Sequence, residues 1–225
     1  MSALIAVGWR WIKRAVLAVL VIFIVWIALY SVVPVFATPY MAAERMRYGP
    51  IEREWMPIDD MAPVIARSVV AAEDANFCNH WGFDMSAIRD AISDGATRGA
   101  STISQQVTKN AFLWHGRSWL RKALEAALTP VVELLWSKSR VLEVYLNVAE
   151  FDAGVFGVAA ASRHYYGITA AELSPMQAAR LAVLLPNPKA RAPDNLSVGL
   201  QQRAAQIADG AETIRRDGRA ACFED

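Results

Sequence analysis

Apolar and polar positions divide the chain into one long uncharged stretch and a series of shorter periodic ones. Residues 15–43 contain no charged side chain, and most of that run reads AVLAVLVIFIVWIALYSVVPVFA. About 20 apolar residues cross a bilayer core as a helix, whereas the apolar part of a cleaved signal peptide is roughly 7–15 residues long. The run therefore predicts a retained transmembrane anchor over residues 15–37. Arg10, Lys13 and Arg14 stand immediately before it, and the bias of basic residues toward the inner side assigns residues 1–14 to the cytoplasm. Trp9, Trp11 and Tyr30 suit the interfaces, and Pro34 lies at or beyond the outer end.

After a polar, proline-containing connector over residues 38–58, the spacing changes to that of amphipathic helices. Asp59 or Asp60 is expected to cap a helix with Pro63 in its first turn and Val64, Ile65 and Val69 on its apolar face. That helix runs into Glu73 and Asp74, and NHWGFD then breaks it at Gly82. Further helices are predicted over residues 85–93, 118–136, 139–146, 158–165, 171–185 and within 201–216. A two-glycine loop is expected over residues 94–102, and Pro130 is expected to bend its helix or start a new one. No strand-like alternating series and no internal repeat is visible. The fold class is mainly α, with a domain over residues 59–217 and a tail over residues 218–225.

Composition narrows the possibilities. With 225 residues the chain holds one well-buried domain. Lys+Arg 23 against Asp+Glu 22, a formal net charge of +1, gives no electrostatic basis for a nucleic-acid partner. The two cysteines, Cys78 and Cys222, are far apart, show no redox or metal-ligand spacing and are expected to stay unpaired. Three histidines without an HExxH pattern or a Cys/His cluster do not predict a zinc site.

Three segments carry polar groups that a plain helical core does not need. The first holds Glu73, Asp74, Phe77, His80 and Asp84. The second is GASTISQQVTKN, with Ser101, Thr102, Gln105, Gln106, Lys109 and Asn110. The third holds Arg117, Arg121, Lys122 and Glu125. Taken singly, the adjacent acids read as a helix end, His80 as structural and Arg121–Glu125 as an i,i+4 ion pair. Taken together, two separated carboxylates among cations and amides suit transfer of a sugar from a phosphate leaving group. One carboxylate acts as base toward an alcohol while cations and amides meet the developing charge.

The same residues resemble a known family. EDxxFxxHxGxD at residues 73–84, GASTISQQVTKN at 99–110, RKALE at 121–125 and KSRVLEVYLN at 138–147 are similar, in order, to the signatures of the peptidoglycan glycosyltransferases (glycosyltransferase family 51). GVFGVAAASRHYYG at 154–167 and LSPMQAARLAVLLPNP at 173–188 extend the likeness. The resemblance implies a lysozyme-like glycosyltransferase domain behind one N-terminal transmembrane helix, with no room for a transpeptidase. It implies inverting polymerisation of lipid II into β-1,4-linked glycan strands with release of undecaprenyl diphosphate, at the bacterial inner membrane with the domain in the periplasm. Glu73 matches the base toward the acceptor 4-hydroxyl. Glu125 matches a second carboxylate that positions a divalent metal, Mg2+ or Mn2+, or the donor diphosphate. Thr102, Gln106, Lys109, Asn110 and Arg121 match donor-pocket residues and Arg117 a phosphate contact, while Asp74, Phe77 and His80 match the shell around the base. Implied partners are lipid II, the growing glycan, membrane lipid and other cell-wall synthesis proteins.

There are three departures from the pattern: Ser104 for a usual Thr, Arg98 and Ala100 around a single glycine where many members have Gly-Gly, and Gln177 for a frequent Glu. A lytic enzyme on a similar fold and a non-catalytic scaffold are the competing classes. Lys109 and Arg117 speak against the first, and the scaffold would tolerate loss of Glu73. Trp81, Phe83, Met85, Phe112, Leu113 and Trp114 flank the polar motifs and read equally as lipid contacts or as core.

Overall fold

The computed structural model describes residues 2–95, 101–116 and 118–224, and the side chains from residue 7 onward. The protein is mainly helical, with one candidate membrane-spanning helix at its N-terminus. Helix α1 (Ser2–Tyr30) is continuous, with an apolar span over Val7–Tyr30. It starts well before the uncharged run, carries Arg10, Lys13 and Arg14 on its own turns, and stops before Pro34.

The end of α1 is docked onto the rest of the protein. Trp136 Nε1 donates to the Ile27 carbonyl at 2.8 Å, and the Arg140 guanidinium donates to the carbonyls of Tyr30 and Val33. Helix-terminal carbonyls have no partner within their own helix, and these donors supply one. Trp26 and Tyr30 pack against Phe112, which packs in turn on Trp136.

Helix α2 (Pro39–Tyr48) is capped by Thr38, whose hydroxyl accepts from the Met41 amide. Strand β1 (Glu52–Arg53) follows, and Ile58–Asp60 form a separate 3-10 turn. Helix α3 (Pro63–Glu73) therefore starts at Pro63 with Ala62 as its cap residue and without a side-chain cap, not on Asp59 or Asp60. A proline at the first position fits there because its missing amide would have no partner within the helix.

Helices α4 (Met85–Ser93), α5 (Ile103–Phe112), α6 (Trp119–Leu135) and α7 (Lys138–Val148) come next. Helix α6 continues through Pro130 rather than restarting there. A small sheet, which the sequence does not announce, follows. Strands β2 (Glu150–Asp152) and β3 (Val155–Phe156) pair antiparallel, and β3 takes β1 as a parallel neighbour. These strands are too short to show an alternating pattern. Helices α8 (Val158–Tyr166), α9 (Pro175–Leu184) and α10 (Val198–Arg216) complete the chain.

Two helical layers share one core. In the first, Ile65, Val69 and Val70 of α3 meet Leu181 and Leu184 of α9 and Ala204, Ile207 and Ile214 of α10, all buried. In the second, α5 packs between α6 and α7 through Ile103, Val107, Val132, Val141 and Leu142. Burying such side chains contributes about 1.5–3 kcal/mol each before the entropy cost of ordering them.

The cysteines correct the expectation of free thiols. Cys78 and Cys222 are joined in a disulfide across 144 positions of sequence. The pairing is invisible in spacing because α3, α9 and α10 bring the two ends of the domain together. The C-terminal residues are accordingly packed: Ala220 and Phe223 are buried, and Glu224 pairs with Arg67 of α3 at 2.8 Å.

Candidate active site

Glu73 ends α3, so its side chain projects where the helix stops and the chain turns. Its carboxylate accepts a hydrogen bond from Gln106 Nε2 of α5 at 2.7 Å, and the other end of that amide accepts from the Tyr145 hydroxyl of α7 at 3.2 Å. Burial raises the Glu73 pKa above the ordinary value; the Gln106 bond, Lys109 and Arg203 lower it again, and Asp74 adds to the rise. The group is thus a better base than a surface glutamate, and among the described residues its hydrogen bond comes from a neutral amide.

Asp74 faces the other way and is structural. It accepts from His80 Nε2 at 2.9 and 3.1 Å and from the Ile103 backbone amide at 2.9 Å, tying the loop after α3 to the first turn of α5. Phe77 is buried beneath His80. Gly82 has φ +84, and a Cβ there would lie 2.8 Å from Thr129 Cγ2 on α6. Its carbonyl accepts from Thr102 Oγ1 at 2.7 Å. Asp84 caps α4, and its bonds from Ser86, Ala87 and Asn76 hold its pKa well below the usual range.

Lys109 lies a turn beyond Gln106 on α5. Burial lowers its pKa, while Glu125 and Glu73 both raise it, so the ammonium lies within electrostatic reach of both carboxylates. Among the described residues it forms no side-chain hydrogen bond or ion pair, unlike its neighbours on α6. There Glu125, only 3% exposed, pairs with Arg121 at 2.6 Å and with Lys122. Arg121 also donates to the Gly116 carbonyl at 3.0 Å. The i,i+4 ion pair exists, but it is buried at its acidic end, and its effect is to orient two cations. Arg117 lies outside the described residues.

The expected donor-pocket residues separate on inspection. Gln106, Lys109 and Asn110 line one hollow of about 330 Å³ with Tyr40, His115, Tyr145 and Lys189. Thr102 lines a different hollow, the one beside Glu73, and is also the buried cap of α5, its hydroxyl bonded to the Gln105 amide and the Gly82 carbonyl. Asn110 accepts from His115 at 3.0 Å, and His115 stacks on Tyr40. Burial, with Lys109, Arg121 and Lys189 nearby, lowers the His115 pKa to about 3, so the ring is neutral.

Glu73 itself lies where two further hollows meet. One, about 360 Å³, is bounded by Asp74, Asn76, Asp84 and Ser101; the other, about 200 Å³, by Pro186, Arg191, Leu200 and Arg203. A cavity of about 380 Å³ between Ile58, Arg67, Ser139 and Phe223 contains none of the expected site residues.

Sequence reasoning passed over Tyr145, Arg203 and the Tyr40–His115 stack. Tyr145 sits inside the KSRVLEVYLN block and could have been singled out there. Arg203 has no motif around it; only the packing of α10 on α3 brings it to Ala72, whose carbonyl it bonds at 3.3 Å. Of the departures, Ser104 keeps a hydroxyl that donates to buried Glu133, and Gln177 completes the capping box of α9. Arg98 and Ala100 lie outside the described residues. Of the six flanking apolar residues, Trp81, Met85 and Trp114 are exposed and Phe83 is half-buried, while Phe112 and Leu113 belong to the core.

The resident-metal expectation meets a poor donor set. Glu125 is one carboxylate with a cation at each oxygen, and the described residues contain no group of three His, Cys, Asp or Glu able to hold a metal ion. The described residues alone do not complete the set of several oxygen ligands that a divalent ion takes.

Residues 42–212 match the family model described as "Transglycosylase". A "Biosynthetic peptidoglycan transglycosylase" of Jannaschia sp. (strain CCS1) is 63% identical over 214 residues, covering 95% of this chain and 90% of the relative. Proteins of the same description from Rhodospirillum centenum (strain ATCC 51521 / SW) and Yersinia pseudotuberculosis serotype O:3 (strain YPIII) are 44% and 43% identical, over 94% and 86% of this chain and 94% and 87% of the relatives. Matches of this extent show the family: the chain belongs to the peptidoglycan transglycosylases, the glycosyltransferases that polymerise glycan strands.

Proposed function

We propose that the protein polymerises lipid II, with Glu73 as general base. The acceptor 4-hydroxyl gives its proton to Glu73 as its oxygen bonds to the donor's anomeric carbon. The bond from that carbon to the diphosphate oxygen breaks on the opposite face, the electron pair leaves with undecaprenyl diphosphate, and the configuration inverts to a β-1,4 link. An alcohol is a far weaker acid than a carboxylic acid, so proton transfer has to accompany attack, and position counts for more than basicity.

The observation that carries this reading is the contrast around Lys109. Glu73 is held by a neutral amide and keeps its basic oxygens, whereas Glu125 is committed to Arg121 and Lys122. Lys109, Arg121 and Lys122 then form a cationic face toward a leaving diphosphate, the arrangement that stabilises charge developing in a transition state. Glu125 spaces the cations and keeps them from repelling one another.

The anchor supports a single-pass protein with its N-terminus in the cytoplasm and its catalytic domain in the periplasm, since Arg10, Lys13 and Arg14 precede most of the apolar span. Trp114, Trp119 and Leu120 are exposed close in sequence to Phe112, which touches the outer end of α1. They suit contact with membrane lipid, where the donor's isoprenoid stays. Incubating the purified protein with labelled lipid II, and separately with finished glycan, tests the reaction. Polymer from the first supports it; fragments from the second would replace it with hydrolysis. Neither product would leave a scaffold. Reporter fusions at each terminus test the orientation.

A further inference from the structure

We propose that residues 217–224 form a covalent strap that positions the loop carrying Asp74 and His80, and through it Glu73, so that turnover depends on the Cys78–Cys222 bond being closed. The inference rests on the reading of Glu73 as the base. It concerns a segment beyond the end of the family match at residue 212.

The strap grips the loop at several points. Cys78 lies between Phe77 and His80, and its disulfide partner Cys222 adjoins Phe223, whose buried ring lies 6.3 Å from that of Phe77. Arg219 donates to the Ala75 carbonyl at 3.1 Å and is itself steadied by Asp217. Glu224 pairs with Arg67, two turns back from Glu73 on α3. Between these contacts and the Asp74 bonds to His80 and Ile103, residues 75–80 are held from both sides. Phe77 also lies under Lys138 Nζ, 4.5 Å from its ring centroid, so the loop is pressed against α7 as well.

Such a strap does more than add stability. Asp74, Ala75 and Asn76 at the start of this loop line one hollow with Glu73, and a small displacement of a reacting group costs rate out of proportion to energy. Around Glu73 stand Asp74 on its own segment, Gln106 and Lys109 from α5, Tyr145 from α7 and Arg203 from α10. Burial is the largest influence on its ionisation. A loosened loop admits water and lowers the Glu73 pKa, because hydration favours the charged form. The acid limb of the activity profile then moves to lower pH.

The test uses the full-length protein in detergent micelles with lipid II. A dithiol reductant supplies two electrons and two protons, leaving Cys78 and Cys222 as thiols and itself as a disulfide. Reduction is expected to lower kcat on the order of ten- to a hundredfold, to shift the acid limb downward, and to leave binding of a non-reactive donor analogue unchanged. Reoxidation restores kcat and the acid limb. The double variant Cys78→Ser, Cys222→Ser should match the reduced protein and ignore reductant.

A reduced protein that melts at lower temperature but keeps its kcat and pH profile overturns the proposal and leaves the bond a stabiliser only. Should the reduced protein unfold at the assay temperature, Arg219→Ala with the disulfide intact decides: a lower kcat with a shifted acid limb supports the strap, and an unchanged profile overturns it. An oxidised wild-type protein that makes no polymer would instead defeat the reading of the function.

Discussion

Glu73 and Glu125 influence the same lysine from different helices, yet their surroundings have opposite character. Glu73 meets a neutral amide at the C-terminal end of α3, and burial makes it a stronger base. Glu125 is in the interior of α6 and meets two cations about one turn away on its own helix. A carboxylate at a helix end has one side open to substrate, whereas one in mid-helix is surrounded by its i−3 and i−4 neighbours. Identical functional groups therefore take different work from their place in the secondary structure: one is free to accept a proton, the other arranges positive charge.

Breaking the comparison at Glu73 should have the largest effect. Glu73→Gln keeps the shape and removes the basic oxygen; turnover is expected to fall about 100- to 10,000-fold, with binding of a non-reactive lipid II analogue preserved. Near-normal turnover in a folded variant would remove Glu73 from the mechanism. The corresponding change at Glu125 acts indirectly. Glu125→Gln frees Arg121 and Lys122 to move apart, and losing a charged hydrogen bond of about 1.5–3 kcal/mol corresponds to roughly ten- to 150-fold in rate. Donor affinity should change with it, and the magnesium response of turnover should match that of wild type, since the carboxylate holds cations of the protein rather than an ion. A flattened magnesium response would contradict that view.

Gly82 connects the two halves, because its close approach to Thr129 keeps the loop after Glu73 against the helix of Glu125. Gly82→Ala meets both a positive φ and a Thr129 contact, and should destabilise the fold by about 2 kcal/mol or more. Denaturant unfolding measures this, and a wild-type midpoint would show that the loop relaxes freely. The smallest expected effect is that of Arg203→Ala. Arg203 is a cation that favours ionised Glu73; without it the Glu73 pKa rises further. Because the base works only when ionised, the acid limb of the profile moves to higher pH, and activity on the alkaline side of that limb is unchanged. This is the opposite direction to that expected on opening the disulfide, so pH profiles of the two proteins distinguish charge from hydration.

Much of this molecule is legible in the chain. The anchor, the helices over 85–93 and 118–136 and the polar blocks at 73–84, 101–110 and 121–125 follow from period and composition, because each expresses an interaction between near neighbours. The capping of α4 by Asp84, of α6 by Ser118 and of α9 by Ser174 with Gln177 is local in the same sense. The small sheet escaped because its strands have only two or three residues and draw their partners from both sides of the domain. Thr102 lines the hollow beside Glu73, and only the placement of Gly82 shows where its hydroxyl is bonded.

The sequence by itself determined which chemistry was available: two carboxylates, a run of amides and a set of cations, each on a segment whose local structure its own residues dictate. Tertiary structure decided how that chemistry was divided. Whether Glu73 or Glu125 kept free oxygens depended on Gln106, Lys109 and Arg203 arriving from α5 and α10, and whether the cysteines met depended on α10 returning along α3. These are long-range consequences of burying apolar faces, a force proportional to area and blind to direction. Hydrophobic period therefore shows that faces will be covered, and only the assembled core shows which polar groups come to lie beside them.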